Sequence, residues 1–161
     1  MTAWSYVEGA SHTVIGAPFG GVQSVESTSL SSGPYASETV YFTPTQYALN
    51  ISNATGAPRT IYVNGAFEGH WVFSAVVVHS GTFVGYLNGA NVTGNPIYIG
   101  CFRGTEGFIG EGGAAGALQG KNFNGTIADV QIYNTTLSPG AIQQLYTAGL
   151  PPARVLNLGA G

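Results

Sequence analysis

The fold this sequence predicts is all-β, a sandwich of two sheets carrying one short helix near the C-terminus. Three observations predict it. Short segments along the chain alternate apolar and polar residues, the period of a strand with one face in a core. Ala128, Val130 and Ile132 set against Asp129 and Gln131 are an example. These segments are separated by Gly, Ser, Asn and Pro, the residues of tight turns, and 25 glycines supply them. Helix signals concentrate in one place. Ser138 is a good N-cap, and Pro139 stands at the first helical position, where its missing N–H costs nothing. Leu137 and Ile142 have the spacing of a hydrophobic staple. Ala141 occupies the position where a capping box places Glu or Gln, so the box is incomplete. Gly149 and Pro151-Pro152 stop the helix.

Taken in order, Thr2 to Val7 alternates small and aromatic residues and reads as a strand. Glu8 to Gly21 reads as a loop with a short apolar patch at Val14-Ile15, and Gln23 to Ser37 as a long connection or weak edge strands. Glu38–Thr43 and Gln46–Ser52 form two antiparallel strands joined at Thr43-Pro44-Thr45, and Arg59–Val63 a further strand before the turn Asn64-Gly65. A central hairpin follows, Val72–His79 and Thr82–Leu87 about Ser80-Gly81, closed by a second tight turn at Asn88-Gly89. Phe102 to Lys121 holds seven glycines and reads as a long surface loop, a kind of segment that often carries function. No internal repeat occurs.

Composition bounds the function. The 161 residues make one domain, with 1–150 as the folded unit and 151–161 as an extended tail. Charged residues are only 7%, against a globular average of about 25%. With 44% hydrophobic residues the chain is too apolar for disorder. Arg59, Arg103, Lys121 and Arg154 form no basic stripe, and the net charge is −3, so nucleic acid is not a partner. No run approaches the roughly 20 apolar residues of a membrane helix. Cys101 is the single cysteine, which excludes an internal disulfide; it reads as a buried thiol, or as an intermolecular bridge in a secreted protein. Five Asn-x-Ser/Thr sequons, at Asn50, Asn53, Asn91, Asn124 and Asn134, point to a secreted or cell-surface glycoprotein.

Several segments resemble one family. NFNGTIADVQIYNTTLSPGAIQQLY, ending at Tyr146, is similar to the C-terminal signature of laminin G-like, or concanavalin A-like, jelly-roll domains. HWVFSAVVVHSGTFVGYLNGANV, from His70 to Val92, resembles the family's hairpin, and Pro96–Gly100 its following strand. The departures are Ala128 at the first acidic position and Ala141 at the usual Glu. The resemblance implies a two-sheet jelly roll. It also implies that TAWSYV is a strand found well inside such a domain, so that about 40 residues, several strands' worth, are expected before it. An excerpt of a longer protein, a permuted chain whose tail Arg154–Leu158 returns as a strand, and strands supplied by another subunit all fit that expectation.

Glycosidases of the family carry carboxylates about 5 Å apart on one strand face. No strand here has such a pair; Glu106 and Glu111 lie in the glycine-rich segment as solvated acids. His12, His70 and His79 are isolated in sequence, and no nucleophile elbow occurs. His70 matches a core position of the family and reads as packed or hydrogen-bonded, His79 as exposed. Catalytic residues are therefore none, and the chain is not expected to be an enzyme. Calcium is the metal the resemblance implies. Asp129, the only aspartate, is the weak candidate ligand and reads instead as a residue bonding a neighbouring loop or backbone. Tyr35, Tyr41, Tyr47, Trp4, Trp71 and Tyr86 offer aromatic faces for a sugar, most of them needed between the sheets. The expectation is a non-enzymatic extracellular binding or adhesion module, with a glycan or a cell-surface protein as partner. The alternative is a structural subunit of a filament or coat that self-assembles by strand or tail exchange. A glycoside hydrolase would need the carboxylate pair that is missing.

Overall fold

The computed structural model describes residues 1–8, 16–24, 35–43, 45–52, 58–98, 103–109 and 123–149. Among these described residues, eleven strands precede one helix: β1 Thr2–Val7, β2 Gly16–Ser24, β3 Tyr35–Thr43, β4 Gln46–Ser52, β5 Pro58–Asn64, β6 Trp71–His79, β7 Thr82–Leu87, β8 Ala90–Asn91, β9 Ile97–Tyr98, β10 Arg103–Ile109, β11 Gly125–Gln131 and α1 Pro139–Ala148. They form two antiparallel sheets. The first has the order β11-β1-β6-β7-β8, with β9 also on β7; the second has the order β10-β2-β3-β4-β5. The all-β sandwich with one C-terminal helix is the architecture the sequence predicts.

Alternation along the strands builds two cores. On one face of the first sheet, Ala3 and Val7 of β1, Val72 and Val76 of β6, and Phe83 and Leu87 of β7 meet Val40, Phe42, Tyr47 and Leu49 of the second sheet. Phe42 is the centre of the aromatic packing, with Tyr47, Phe67 and Phe123 rings at 5.4, 5.7 and 6.2 Å. The opposite face of the first sheet presents Trp4, Phe73, Ala75 and Tyr86 to α1, which buries Ile142 completely and packs Leu145 and Tyr146 beside it. Tyr146 stacks on Trp4 at 5.9 Å. The staple works as the sequence implies: Leu137 joins the same cluster as Ile142, and the Ser138 hydroxyl accepts from the Ala141 N–H at 3.2 Å. Full burial of an Ile side chain stabilises by about 1.5–3 kcal/mol, which ties the helix to the sheet.

Both hairpin turns after β6 and β7 use left-handed residues, Ser80 and Gly81, then Asn88 and Gly89. Positive φ at both central positions matches the twist of antiparallel strands. Gly85 has a different purpose. A Cβ there would lie 2.2 Å from Leu49 Cδ2, so its absence opens the notch into which Leu49 packs across the sandwich.

Four expectations need correction. Part of the presumed glycine-rich loop is β10, an edge strand paired with β2. Its partner is also glycine-rich, GAPFGGVQS, and the backbone ladder rather than a side-chain pattern holds the pair. The presumed Glu8–Gly21 loop gives way to β2 from Gly16 onward, and β3 starts at Tyr35 between β2 and β4, so it is no weak edge. Ile132 is 78% exposed instead of lying in the core. It lies past the end of β11 at Gln131, beyond a bulge that already breaks the alternation. Register shifts between Trp4↔Ala128 and Thr2↔Gln131, and Asp129 takes φ +49. One extra residue resets the alternation, so Ile127 and Val130, three apart, both face the inter-sheet core, while Ala128 faces the helix. His70 takes the second of the two roles read for it, packed or hydrogen-bonded: it is exposed, with its Nδ1 2.8 Å from the Glu68 carbonyl oxygen.

Candidate functional site

The residues sought for catalysis or metal binding do not assemble. Glu106 stands opposite Val22 in the β10–β2 ladder. His79 ends β6 exposed, with Nδ1 2.9 Å from Thr136 Oγ1. His12, Cys101 and Glu111 lie outside the described residues, as do Asn53 and the tail from Arg154. Asp129, half-buried at the β11 bulge, accepts from Gln131 Nε2 at 2.7 Å, and Gln131 in turn accepts from the Tyr133 hydroxyl. Among the described residues no three His, Cys, Asp or Glu side chains come together.

Three of the sequon asparagines are exposed: Asn91, Asn124 and Asn134. Asn91 closes its own turn, its Oδ1 accepting from the Thr93 N–H and hydroxyl at 2.9 Å each and from the Gly94 N–H at 3.0 Å. Asn50 stands within β4, its backbone paired with Thr39 and Thr60.

A group of hydroxyls occupies the inter-sheet core. Ser5 of β1 and Ser74 of β6 are diagonal neighbours on the inner face, and Tyr47 faces them from β4. Ser5 Oγ, Ser74 Oγ and Tyr47 OH are buried without a hydrogen-bond partner. Burial pushes the Tyr47 phenol well above the usual tyrosine range, against a smaller downward pull from the nearby Ser74 hydroxyl. A phenol so held stays neutral and sealed from any substrate.

The outer face of the second sheet is a different surface. Phe42, Tyr47, Leu49, Ile61 and Val63 point inward, so Tyr41, Ala48 and Tyr62 point outward. Register places them side by side, Tyr41 opposite Ala48 and Ala48 opposite Tyr62. Tyr62 is 54% exposed, yet Ala48 between the two rings is fully covered. The Tyr41 hydroxyl donates to that of Tyr62 at 3.5 Å. Burial raises the Tyr41 pKa, and the Tyr62 hydroxyl raises it further, so the Tyr41 phenol stays neutral. The next row is Thr43, Gln46 and Asn64, where Gln46 Nε2 donates to Asn64 Oδ1 at 3.0 Å. That bond leaves Gln46 Oε1 as an acceptor and Asn64 Nδ2 as a donor. The row on the other side is Thr39, Asn50 and Thr60. Nine positions over three strands thus hold two tyrosines, amides and hydroxyls, and no charge.

A second aromatic pair lies on the outer face of the first sheet, past the end of the area under α1. Tyr6 and Trp71 are register partners on β1 and β6, their rings 5.4 Å apart. Trp71 is 38% exposed. Thr126 of β11 continues the row beyond Tyr6. Of the aromatics singled out from sequence, Trp4, Tyr47 and Tyr86 are buried, Trp4 and Tyr86 beneath the helix rather than between the sheets. Tyr6 and Tyr62 were missed. The signal for Tyr62 was parity: in Arg59–Val63 it stands out of phase with Ile61 and Val63, so it faces away from the core.

This architecture agrees with comparisons to known proteins. The family model described as the concanavalin A-like lectin/glucanases superfamily, of the laminin G type, matches residues 1–143. The chain belongs to that family. Among solved structures it resembles a native heptameric SAP-like pentraxin from Limulus polyphemus, at 12% identity and a TM-score of 0.52, covering 92% of this chain and 82% of the pentraxin. It also resembles the binding domain of botulinum neurotoxin serotype G, at 9% identity and a TM-score of 0.44, covering 91% of this chain. The chain spans 35% of the toxin domain's length. No curated protein matches it at the sequence level. The pentraxin supports the jelly-roll sandwich as the fold. Among the described residues, no helix is long and apolar enough to cross a membrane.

Proposed function

We propose that this chain is a non-enzymatic, extracellular binding module whose ligand is a neutral glycan, held on the outer face of β3, β4 and β5. The observation that carries the reading is the uncharged row structure around Tyr41 and Tyr62. A pyranose ring has an apolar C–H face and an equatorial rim of hydroxyls. The exposed Tyr62 ring offers a flat apolar surface for the first. Gln46 and Asn64 offer an acceptor and a donor for the second, one row away, about 7 Å along the strands. A charged ligand would find no counter-charge here. The direct Gln46–Asn64 bond fixes both amides before a ligand arrives, so less side-chain entropy is lost on binding. Extracellular placement rests on the family's lectin-like character and on the exposed sequons Asn91, Asn124 and Asn134.

The test is an NMR titration of the labelled chain with a panel of neutral oligosaccharides. At least one is expected to shift the backbone amides of Ala48, Tyr62 and Asn64. Tyr62→Ala is expected to flatten those shifts at least tenfold in concentration dependence, with the fold retained by its amide spectrum. A panel that moves no amide of β3, β4 or β5 overturns the reading.

A further inference from the structure

We infer that the outer edge of β5 is the surface through which two copies of this chain pair, joining their second sheets edge to edge. Among the described residues the sandwich has four sheet edges, and three of them are blunted. β8 and β9 are two residues each. β11 carries the bulge at Asp129, and β10 shifts register between Gly104 and Glu106. β5 differs. Its seven residues from Pro58 to Asn64 keep one unbroken register with β4. Natural edges are guarded against pairing by short length, bulges, charge or proline. β5 has its proline at the first position and its one charge, Arg59, at the second, so Thr60–Asn64 carries none of these devices.

Backbone parity says which groups this edge offers. The Gly65 N–H donates to the Thr45 carbonyl at 3.0 Å, one step beyond Gln46↔Asn64 in the same register. Ile61 and Val63 share the phase of Gly65 and direct their N–H and C=O toward β4; Tyr62 and Asn64 direct theirs away from it. Both are exposed. An antiparallel second copy presents the same donors and acceptors, so the edge is complementary to itself, which a two-fold contact requires. No like charges oppose each other across Thr60–Asn64. A cleft of about 540 Å³ lies on the inner side of this edge, between Thr60 and Ile61 on one side and Thr93, Asn95, Pro96 and Ile97 on the other. The rim of the first sheet thus stands off from β5 and leaves room for the inward side chains of an added strand.

The contact is small. One strand edge falls short of the roughly 1,200–2,000 Å² of a stable interface, so the dimer forms reversibly and depends on concentration. Its consequence falls on the outer face. Tyr62 lies on the edge strand itself, so pairing sets the row Tyr41, Ala48 and Tyr62 of one copy beside that of the other. The pairing does not depend on what that face binds.

Sedimentation equilibrium and amide hydrogen exchange test this together on the purified chain, from about 10 μM to about 1 mM, the range in which a small interface dissociates. A monomer–dimer equilibrium is expected. The Tyr62 and Asn64 amides should exchange at least threefold more slowly at the high concentration than at the low one, while those of Ile61 and Val63, already bonded to β4, should hardly change. Tyr62→Lys places a charge on the edge, and Asn64→Pro removes an N–H that β4 does not use. Each should weaken the dimer at least tenfold, with the fold retained by its amide spectrum. Thr126→Lys, the same charge on β11 of the other sheet, should leave the dimer unchanged. A monomer throughout, a dimer whose Tyr62 and Asn64 amides stay fast, or a dimer indifferent to both edge variants overturns the inference.

Discussion

At the residue scale, parity along the strands decides what each aromatic does. Tyr47 and Tyr62 sit on adjacent strands, yet one is sealed in the core and the other is more than half exposed. Tyr47 gives a pH prediction. The folded chain holds its proton more tightly than the unfolded chain, because burial disfavours the phenolate. The stabilisation is therefore complete below the unfolded value near pH 10 and is lost as pH rises above it, by about 1.4 kcal/mol per pH unit per proton. Tyr41 and Tyr86 are raised by burial as well and add to the alkaline slope. Urea unfolding between about pH 9 and about pH 11 should show Tyr47→Phe losing about one proton's worth of that slope. An unchanged slope would mean that the phenol is accessible. Gly85 is the counterpart among small residues. Leu49 is fully buried and has little room to yield, so Gly85→Ala should destabilise by about 1–3 kcal/mol in the same assay, the usual range for overpacking.

At the scale of elements, local signals were most legible where turn or cap chemistry fixes the chain. Thr82–Leu87 and Gln46–Ser52 have the strand limits the sequence implies, because Ser80-Gly81, Asn88-Gly89 and Thr43-Pro44-Thr45 bracket them. The helix was legible for the same reason. Ser138→Ala should cost about 0.5–2 kcal/mol by thermal or urea unfolding, since the Ala141 N–H loses its acceptor. A change under a few tenths of a kcal/mol would show that the staple alone sets the helix start. β10 was not legible. A strand such as Arg103–Ile109, with glycine at two of seven positions, has weak alternation, and its pairing with β2 arises from backbone far away in sequence. The β11 bulge was hidden for a related reason: Asp129 reads as an ordinary outward residue until the partner register shows one residue too many.

For the whole molecule, the family signature and the proposed function occupy different residues. His70–Val92 and Asn122–Tyr146 identify the fold because their residues fill the two cores, cap the helix and turn the hairpins. The proposed binding face uses the opposite parity of strands that the signature does not describe, β3, β4 and β5. The candidate site was therefore scarcely visible in sequence, although the fold was. Low charge now has a local counterpart, since the nine positions around Tyr41, Ala48 and Tyr62 carry none. The most direct measurement of the central claim is a crystal structure of the chain with the neutral oligosaccharide that binds best. The account predicts a pyranose ring lying flat on Tyr62, with its hydroxyls bonded to Gln46 and Asn64. A sugar bound with the β3–β5 face bare, or held through a carboxylate or a metal ion elsewhere, would contradict it.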